Sequence, residues 1–231
     1  KIEDVFTRQA NFSADIAHEI RTPITNLATQ TEIALSQQRT AKELEDVLYS
    51  NLEEYNRMAK MVSDMLFLAQ ADNNQLIPER IPLDLQAETL KVFEFFEAWA
   101  EERGVGLKLD NHSGFVEGDP LMLRRVINNL LSNAIRYTPE YGTVTLSLHR
   151  DGDAVLLSVE DSGPGIDDQQ VHQALMPFRR LDNAGAIPGA GLGLALVNDI
   201  ARLHRSHLQL SRSESLGGLK ATLRLPTVAS E

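Results

Sequence analysis

No glycine and a single proline, Pro23, interrupt the first 72 residues, and a stretch so free of breakers points to long helices. Apolar residues recur there at helical spacing: Phe12, Ile16, Ile20, Ile24 and Leu27, then Leu44, Val47, Leu48, Leu52, Tyr55, Ala59, Val62, Leu66 and Ala69. The polar stretch Ser36-Gln37-Gln38-Arg39-Thr40 between the two sets reads as a tight connection. Two helices of about 30 residues therefore form a hairpin with a wide apolar stripe. A lone hairpin cannot bury that stripe, so a second copy of the chain is expected to complete a four-helix bundle.

The pattern then changes. Asp72-Asn73-Asn74 ends the second helix, and Leu76 to Leu85, with Pro78 and Pro82, reads as a linker or a short edge strand. Residues 86–103 form a third amphipathic helix, stopped by Gly104, whose Phe93, Phe96 and Trp99 read as core. From residue 105 onward helices and strands mix. Asp119-Pro120 is a cap with proline at the first helical position, and that helix stops at Thr138-Pro139. Val144, Leu146 and Leu148 alternate, as do Val155, Leu157 and Val159, with Asp151-Gly152 as the turn between them. A helix over 191–204 follows, then a strand pair through Leu208, Leu210, Ala221, Leu223 and Leu225 with Gly217-Gly218 in its turn. The fold class is α plus α/β, divided as 1–74 for the hairpin, 75–85 for the linker and 86–228 for the α/β part.

Net charge is −11, from 22 basic and 33 acidic residues, which argues against nonspecific nucleic-acid binding. There are no cysteines, so disulfides and thiolate metal sites are excluded. No apolar run approaches the ~20 residues of a membrane span. The sequence starts at Lys1 without an initiator Met and reads as a piece of a longer protein, in which a membrane segment upstream is compatible with everything here.

Four groups of residues carry chemistry. On the helix over 120–137, Leu121, Val126, Ile127, Leu130, Leu131, Ala134 and Ile135 can face a sheet, while Asn129, Asn133 and Arg136 form a polar stripe. Neutral amide oxygens suit Mg²⁺ bridging phosphates, and Arg136 adds a cation at the same edge; a solvated helix face fits the same residues. Asp161-Ser162-Gly163-Pro164-Gly165-Ile166 ends a strand. Its glycines let backbone approach a flat ring, and its carboxylate can accept from an exocyclic amine, although a plain loop fits too. Gly189-Ala190-Gly191-Leu192-Gly193-Leu194 opens a helix whose free N–H groups favour phosphate; it is neither a Walker loop nor the dinucleotide fingerprint. His18, flanked by Glu19 and Arg21 with Thr22 one turn on, lies off the stripe of Ile16 and Ile20 and is expected to be exposed. Its imidazole is a nucleophile near neutral pH, and a neighbouring carboxylate can take its proton. The other histidines, His112, His149, His172, His204 and His207, read as structural or solvated.

In this order the groups resemble the sequence boxes of the sensor histidine kinases of bacterial two-component systems. Phe12 to Pro23 resembles the H box and Asn129 to Tyr137 the N box. Asp161 to Ile166 is similar to the G1 box, Pro177-Phe178-Arg179-Arg180 to an abbreviated F box, and Gly189 to Leu194 to the G2 box, with a short lid over Leu181–Pro188. Gly217-Gly218 with Thr222 resembles the closing glycine segment. Within that family, the first 75 residues and Gly118 to Arg125 most resemble the copper- and silver-responsive kinases of enteric bacteria.

The resemblance implies a dimerisation and histidine-phosphotransfer bundle followed by a Bergerat-type (GHKL) α/β sandwich that binds ATP with Mg²⁺. It implies His18 as phosphoacceptor, Glu19 as the base that activates it, and Thr22 as the residue that positions water to dephosphorylate a partner. Asn133 would hold Mg²⁺ with Asn129 in support. Arg136 and Tyr137 would touch nucleotide and Asp161 would read the adenine amine. Gly163, Gly165, Ile166, Phe178, Arg180, Gly189, Gly191, Leu192, Gly193, Leu194 and Thr222 would complete the nucleotide contacts. The expected partners are a second copy and the receiver domain of a response regulator. The expected location is the cytoplasmic side of an inner-membrane protein. Pro23, lacking an N–H, would bend the first helix beside His18. Two other functions remain on the sequence: an ATPase of the gyrase or mismatch-repair type, which would carry a carboxylate where Asn129 stands, and a dimeric scaffold or phosphatase with a weak ATP site.

Overall fold

The computed structural model describes residues 2–73, 75–111, 114–181 and 189–228, with residues 2–13 and 111 described by backbone alone. The chain divides into two compact units, Lys1–Leu66 and Phe67–Glu231. None of the helices among the described residues is long and apolar enough to cross a membrane.

The first unit holds helix α1 (Ile2–Leu35) and most of α2 (Ala41–Asp72). The connection is fixed locally. The Thr40 hydroxyl accepts from the Glu43 N–H (3.3 Å), and Glu43 Oε2 accepts from the Thr40 N–H (2.7 Å). This reciprocal capping box starts α2 and holds the Glu43 carboxyl below the usual range, chiefly through the Thr40 N–H. α1 runs unbroken through Pro23, which removes the N–H that would meet the Glu19 carbonyl. Pro23, Leu27, Ala34, Met61 and Met65 are buried. Ile24, Leu48, Leu52, Tyr55 and Leu66 of the expected stripe are more than half exposed, as a hairpin with an unpaired apolar face requires.

The second unit is built on a five-stranded sheet. Its strands are β2 (Gly106–Asn111), β4 (Thr143–Asp151), β5 (Ala154–Asp161), β7 (Leu219–Pro226) and β6 (Leu208–Arg212), in that spatial order. β2 and β4 are parallel and the remaining pairs antiparallel. A small separate ribbon pairs β1 (Ile81–Asp84) with β3 (Phe115–Gly118), so part of the expected linker is a strand. The helices are α3 (Leu85–Glu102), α4 (Pro120–Tyr137), the single turn α5 (Val171–Ala174) and α6 (Gly193–Leu203).

Strand register explains the two faces. Val144, Leu146 and Leu148 stand opposite Asp161, Val159 and Leu157, and the last two stand opposite Ala221 and Leu223. Paired residues share a face, so these form one apolar surface, all buried, against which α4 packs Leu123, Val126, Ile127, Leu130, Leu131, Ala134 and Ile135. Alternate residues, including Thr145, Ser147, Ser158, Glu160, Lys220 and Thr222, make the polar opposite face. Leu121 does not join the core: it is 73% exposed, because it lies two residues from Leu123 and hence across the helix from it. Phe93 and Phe96 are buried as core, with Trp99 half-buried 5.8 Å from the Phe96 ring.

The entry to α4 is tied to the exit of α6. Asp119 caps α4 by accepting from the Leu121 and Met122 N–H groups, and its other oxygen accepts from the Glu79 N–H. The Asp119 N–H donates to His204 Nε2 (3.0 Å), which makes Nδ1 the protonated nitrogen, facing the Ile200 carbonyl at 2.8 Å. His204 is thus structural, as the sequence suggests, and neutral. Burial pushes its pKa down, Arg80 adds to that, and the Ile200 carbonyl and Asp119 oppose it. An unfolded chain takes up a proton near the ordinary value of about 6.5, where the folded chain does not. The stability His204 contributes is therefore full above that pH and is lost as the pH falls below it. Denaturant unfolding at pH 7.5 and 5.5 is expected to show a drop that shrinks in His204→Gln; an equal drop in both would remove His204 as its source.

Candidate functional site

α4 carries the densest set of candidate residues, and three glycine segments meet it. Asn129 is buried, its Nδ2 donating to the Arg125 carbonyl (2.8 Å), which fixes the amide and leaves Oδ1 facing the start of α6. Asn133, one turn on, is half-buried. A methyl group on Gly193, the first residue of α6, would stand 3.2 Å from Asn129 Oδ1 and 3.3 Å from Asn133 Nδ2. One on Gly189 would stand 3.2 Å from Arg136 Nη1. One on Gly163 would stand 2.9 Å from the Tyr137 carbonyl. Asn129, Asn133, Arg136 and Tyr137 thus form one edge, lined in turn by Gly193, Gly189 and Gly163. Asn129 lies on the polar stripe expected from the sequence, but it is buried, packed under the start of α6, which removes the alternative of a solvated face at this residue.

Gly191 has φ +68° and lies against the Arg179 backbone, and its carbonyl accepts from the Phe178 N–H (3.1 Å). Phe178 itself has φ +60°, so the Pro177-Phe178 segment bends sharply onto the second glycine loop. Leu192 is buried; Leu194 and Ile166 are half-buried and Arg180 is exposed. Of the short lid, residues 182–188 lie outside the described residues, as does His112.

Asp161 ends β5 with its side chain on the apolar face, 5% exposed. Its Oδ1 accepts from the Gly163 N–H (2.8 Å) and the Leu219 N–H (3.1 Å). Burial pushes its pKa up, while the Leu219 and Gly163 N–H groups hold it down. With Oδ1 occupied, Oδ2 remains to accept from a ligand amine, which is the polarity an adenine 6-amino group would meet. Gly165 (φ +71°) lies against Gly218. Gly218, which the sequence places in a turn and in the resemblance to the closing glycine segment, is a direct partner of Asp161, and Leu219 is a further one that the sequence does not single out.

Thr222 is not brought to this group. It stands opposite Ser158 on the polar face of the sheet, with the two hydroxyls 3.1 Å apart, and Asp161 lies on the other face. The one-residue parity of a strand separates it from the site.

On the first unit, His18 is exposed on α1, Glu19 beside it is half-buried, and Thr22 one turn on is exposed. This is the placement expected of an accessible imidazole with a neighbouring carboxylate.

Among the described residues no group of three His, Asp or Glu is placed to hold a metal. The amide oxygens of Asn129 and Asn133 fit a hard cation that also binds phosphate oxygens, since they add no charge to repel the anion.

The family described as the His Kinase A (phospho-acceptor) domain matches residues 8–74. The one described as the histidine kinase-, DNA gyrase B- and HSP90-like ATPase matches residues 118–229. The sensor histidine kinase CusS of Escherichia coli strain K12 is 55% identical over 228 residues, covering 98% of this chain and 47% of CusS. The chain therefore spans about half the length of that curated relative. Among solved structures, the Acinetobacter baumannii histidine kinase AdeS aligns with TM-score 0.75 and 26% identity over 92% of this chain and 98% of its own. Histidine kinase ThkA, solved in complex with the response regulator protein TrrA, shares the fold with TM-score 0.77 and 22% identity over 99% of this chain and 64% of its own.

Proposed function

The chain belongs to the sensor histidine kinases, and from that premise we propose that it is an ATP-dependent autokinase that phosphorylates His18. Residues 1–74 serve as the dimerisation and phosphotransfer part, 75–85 as the connection and 86–228 as the ATP-binding part. The observation that carries the reading is the convergence of Gly193 on Asn129 and Asn133 beside Arg136, in a chain whose His18 is exposed next to Glu19.

Asp161 Oδ2 accepts from the adenine amine, and Gly163 lets the base approach closely. The N–H groups at the start of α6 and the Arg136 guanidinium hold phosphate oxygens. Mg²⁺, held through Asn133 with Asn129 in support, offsets phosphate charge when bound. The His18 imidazole attacks the γ-phosphorus, a P–N bond forms, the bond to the β,γ-bridging oxygen breaks, and ADP leaves. Glu19 takes the proton released from the imidazole. Positioning and charge stabilisation dominate such transfers.

A second copy of the chain covers the exposed stripe of Leu48, Leu52, Tyr55 and Leu66, making a homodimer. The phosphoryl group then passes to an aspartate of a response-regulator receiver domain; the ThkA–TrrA complex, on the same fold, supports that partner. Thr22 positions water when the regulator is dephosphorylated. The resemblance of residues 1–75 and 118–125 supports copper or silver as the input, and an upstream membrane anchor in the parent protein. The amide at Asn129 favours this reading over an ATPase that would need a carboxylate there.

Incubating the chain with γ-labelled ATP and Mg²⁺ tests the reading. Label that is acid-labile and base-stable, and absent when EDTA is added, is expected. Mg-ATP binding without any label would favour a scaffold or phosphatase, and hydrolysis without label an ATPase.

A further inference from the structure

Asp161 is held from two sides: its Oδ1 accepts from the local Gly163 N–H (2.8 Å) and from the Leu219 N–H (3.1 Å), the second delivered across 58 residues by the turn between β6 and β7. The turn is closed by backbone bonds from Ser213 N–H to the Gly218 carbonyl (2.8 Å) and from Gly217 N–H to the Ser213 carbonyl (2.9 Å). Its anchor is Ser213, 1% exposed, whose hydroxyl also accepts from the Leu216 N–H (3.0 Å).

The same hydroxyl donates to Glu160 Oε2 (2.7 Å), and the Ser215 hydroxyl donates to that oxygen as well (2.9 Å). Lys220 Nζ sits 2.9 Å from Glu160 Oε1. Glu160 is the residue before Asp161, so strand alternation sends its side chain to the opposite face of the sheet. It cannot touch a nucleotide held by Asp161. Yet three residues spend their polar groups on it, and together they keep its carboxyl below the usual range despite burial.

We propose that Glu160, with Ser213, Ser215 and Lys220, is a positioning cluster that clasps the β6–β7 turn from behind. In doing so it sets the orientation of Asp161, and with it the choice of adenine as the base. Two adjacent residues of one strand thus divide the work: Asp161 faces the base, and Glu160 fixes the distant one of the two backbone donors that aim it. The proposal rests on the reading of Asp161 as the group that meets the adenine amine.

The test compares Glu160→Ala, Glu160→Gln and Asp161→Asn in the full chain. It measures binding of Mg-ATP, of Mg-GTP as the base competitor, and of Mg-tripolyphosphate as a probe of the phosphate half alone. Glu160→Ala is expected to weaken ATP roughly tenfold and to narrow the ATP-over-GTP preference, with tripolyphosphate within about twofold of the parent. Glu160→Gln, which keeps an acceptor for the two hydroxyls, is expected to recover much of the loss. A general loosening of the fold would instead lower ATP and tripolyphosphate together, and that result would overturn the proposal. Unchanged ATP preference in Glu160→Ala would overturn it too while leaving Asp161 intact as the base reader, provided Asp161→Asn loses the preference. If Asp161→Asn keeps it, the reading of Asp161 fails and the proposal with it.

Discussion

A chain carrying His18→Gln is expected to take up no phosphoryl group from ATP while binding Mg-ATP as the parent does. His18 is exposed, so the substitution removes no packing, and Gln is at least as good a helix former. Its effect on stability should stay within about 0.5 kcal/mol. What it removes is the nucleophile: an amide nitrogen is not basic, and no P–N bond forms. Label on the protein should fall to background, at least ~10²-fold, with the Kd for ATP unchanged because every proposed nucleotide contact lies on the second unit. The pairing of the two readouts matters. Loss of label with loss of ATP binding would mean a damaged fold. Label that persists would assign the nucleophile elsewhere, and His149, His172 and His207 are the other exposed imidazoles among the described residues.

What could be read in advance follows the range of the interaction that fixes it. Helix boundaries are local: Asp119-Pro120 starts α4 and Thr138-Pro139 stops it, because capping and the missing proline N–H act within a few residues. The four alternating strands at Val144, Val155, Leu208 and Ala221 were visible for the same reason. β2 and β3 were not, since Gly106–Asn111 offers only Leu107 and Leu109 as apolar and Phe115–Gly118 is four residues long. Burial of Asn129 was hidden, because it depends on α6 arriving from 64 residues downstream to cover that helix edge. Thr222 was assigned to the site by its place in a motif. Counting alternate residues from Ala221 would have put it on the opposite face, but only the pairing of Ser158 with Thr222 ties that parity to Asp161. The contact of Leu219 with Asp161 had no local signal at all.

Gly218→Ala should weaken nucleotide binding severely, and the reason is space rather than backbone freedom. A methyl group at Gly218 would overlap Asp161 Oδ1 and the Asp161 carbonyl and stand 2.6 Å from Gly163 N. Two of these atoms are backbone and cannot swing away. The Gly218 N–H bond to the Asp161 carbonyl (3.1 Å) and the Leu219 N–H bond to Oδ1 (3.1 Å) would both break as the strands separate. Forced overpacking of this kind costs roughly 1–3 kcal/mol, and losing a hydrogen bond to a buried carboxylate costs a similar amount. ATP affinity is therefore expected to fall by about 10² or more, with a lower unfolding midpoint. Gly217→Ala is the control one residue away. Gly217 has φ +84° with nothing within 4 Å of its missing Cβ, so alanine there meets only left-handed strain of about 1–2 kcal/mol. It should lower stability by that amount and leave ATP binding near the parent value. Isothermal titration of both variants separates the two causes. If Gly217→Ala loses ATP as fully as Gly218→Ala, the backbone path of the turn matters more than the clearance around Asp161. If neither loses it, the base does not depend on Asp161 being held by this turn.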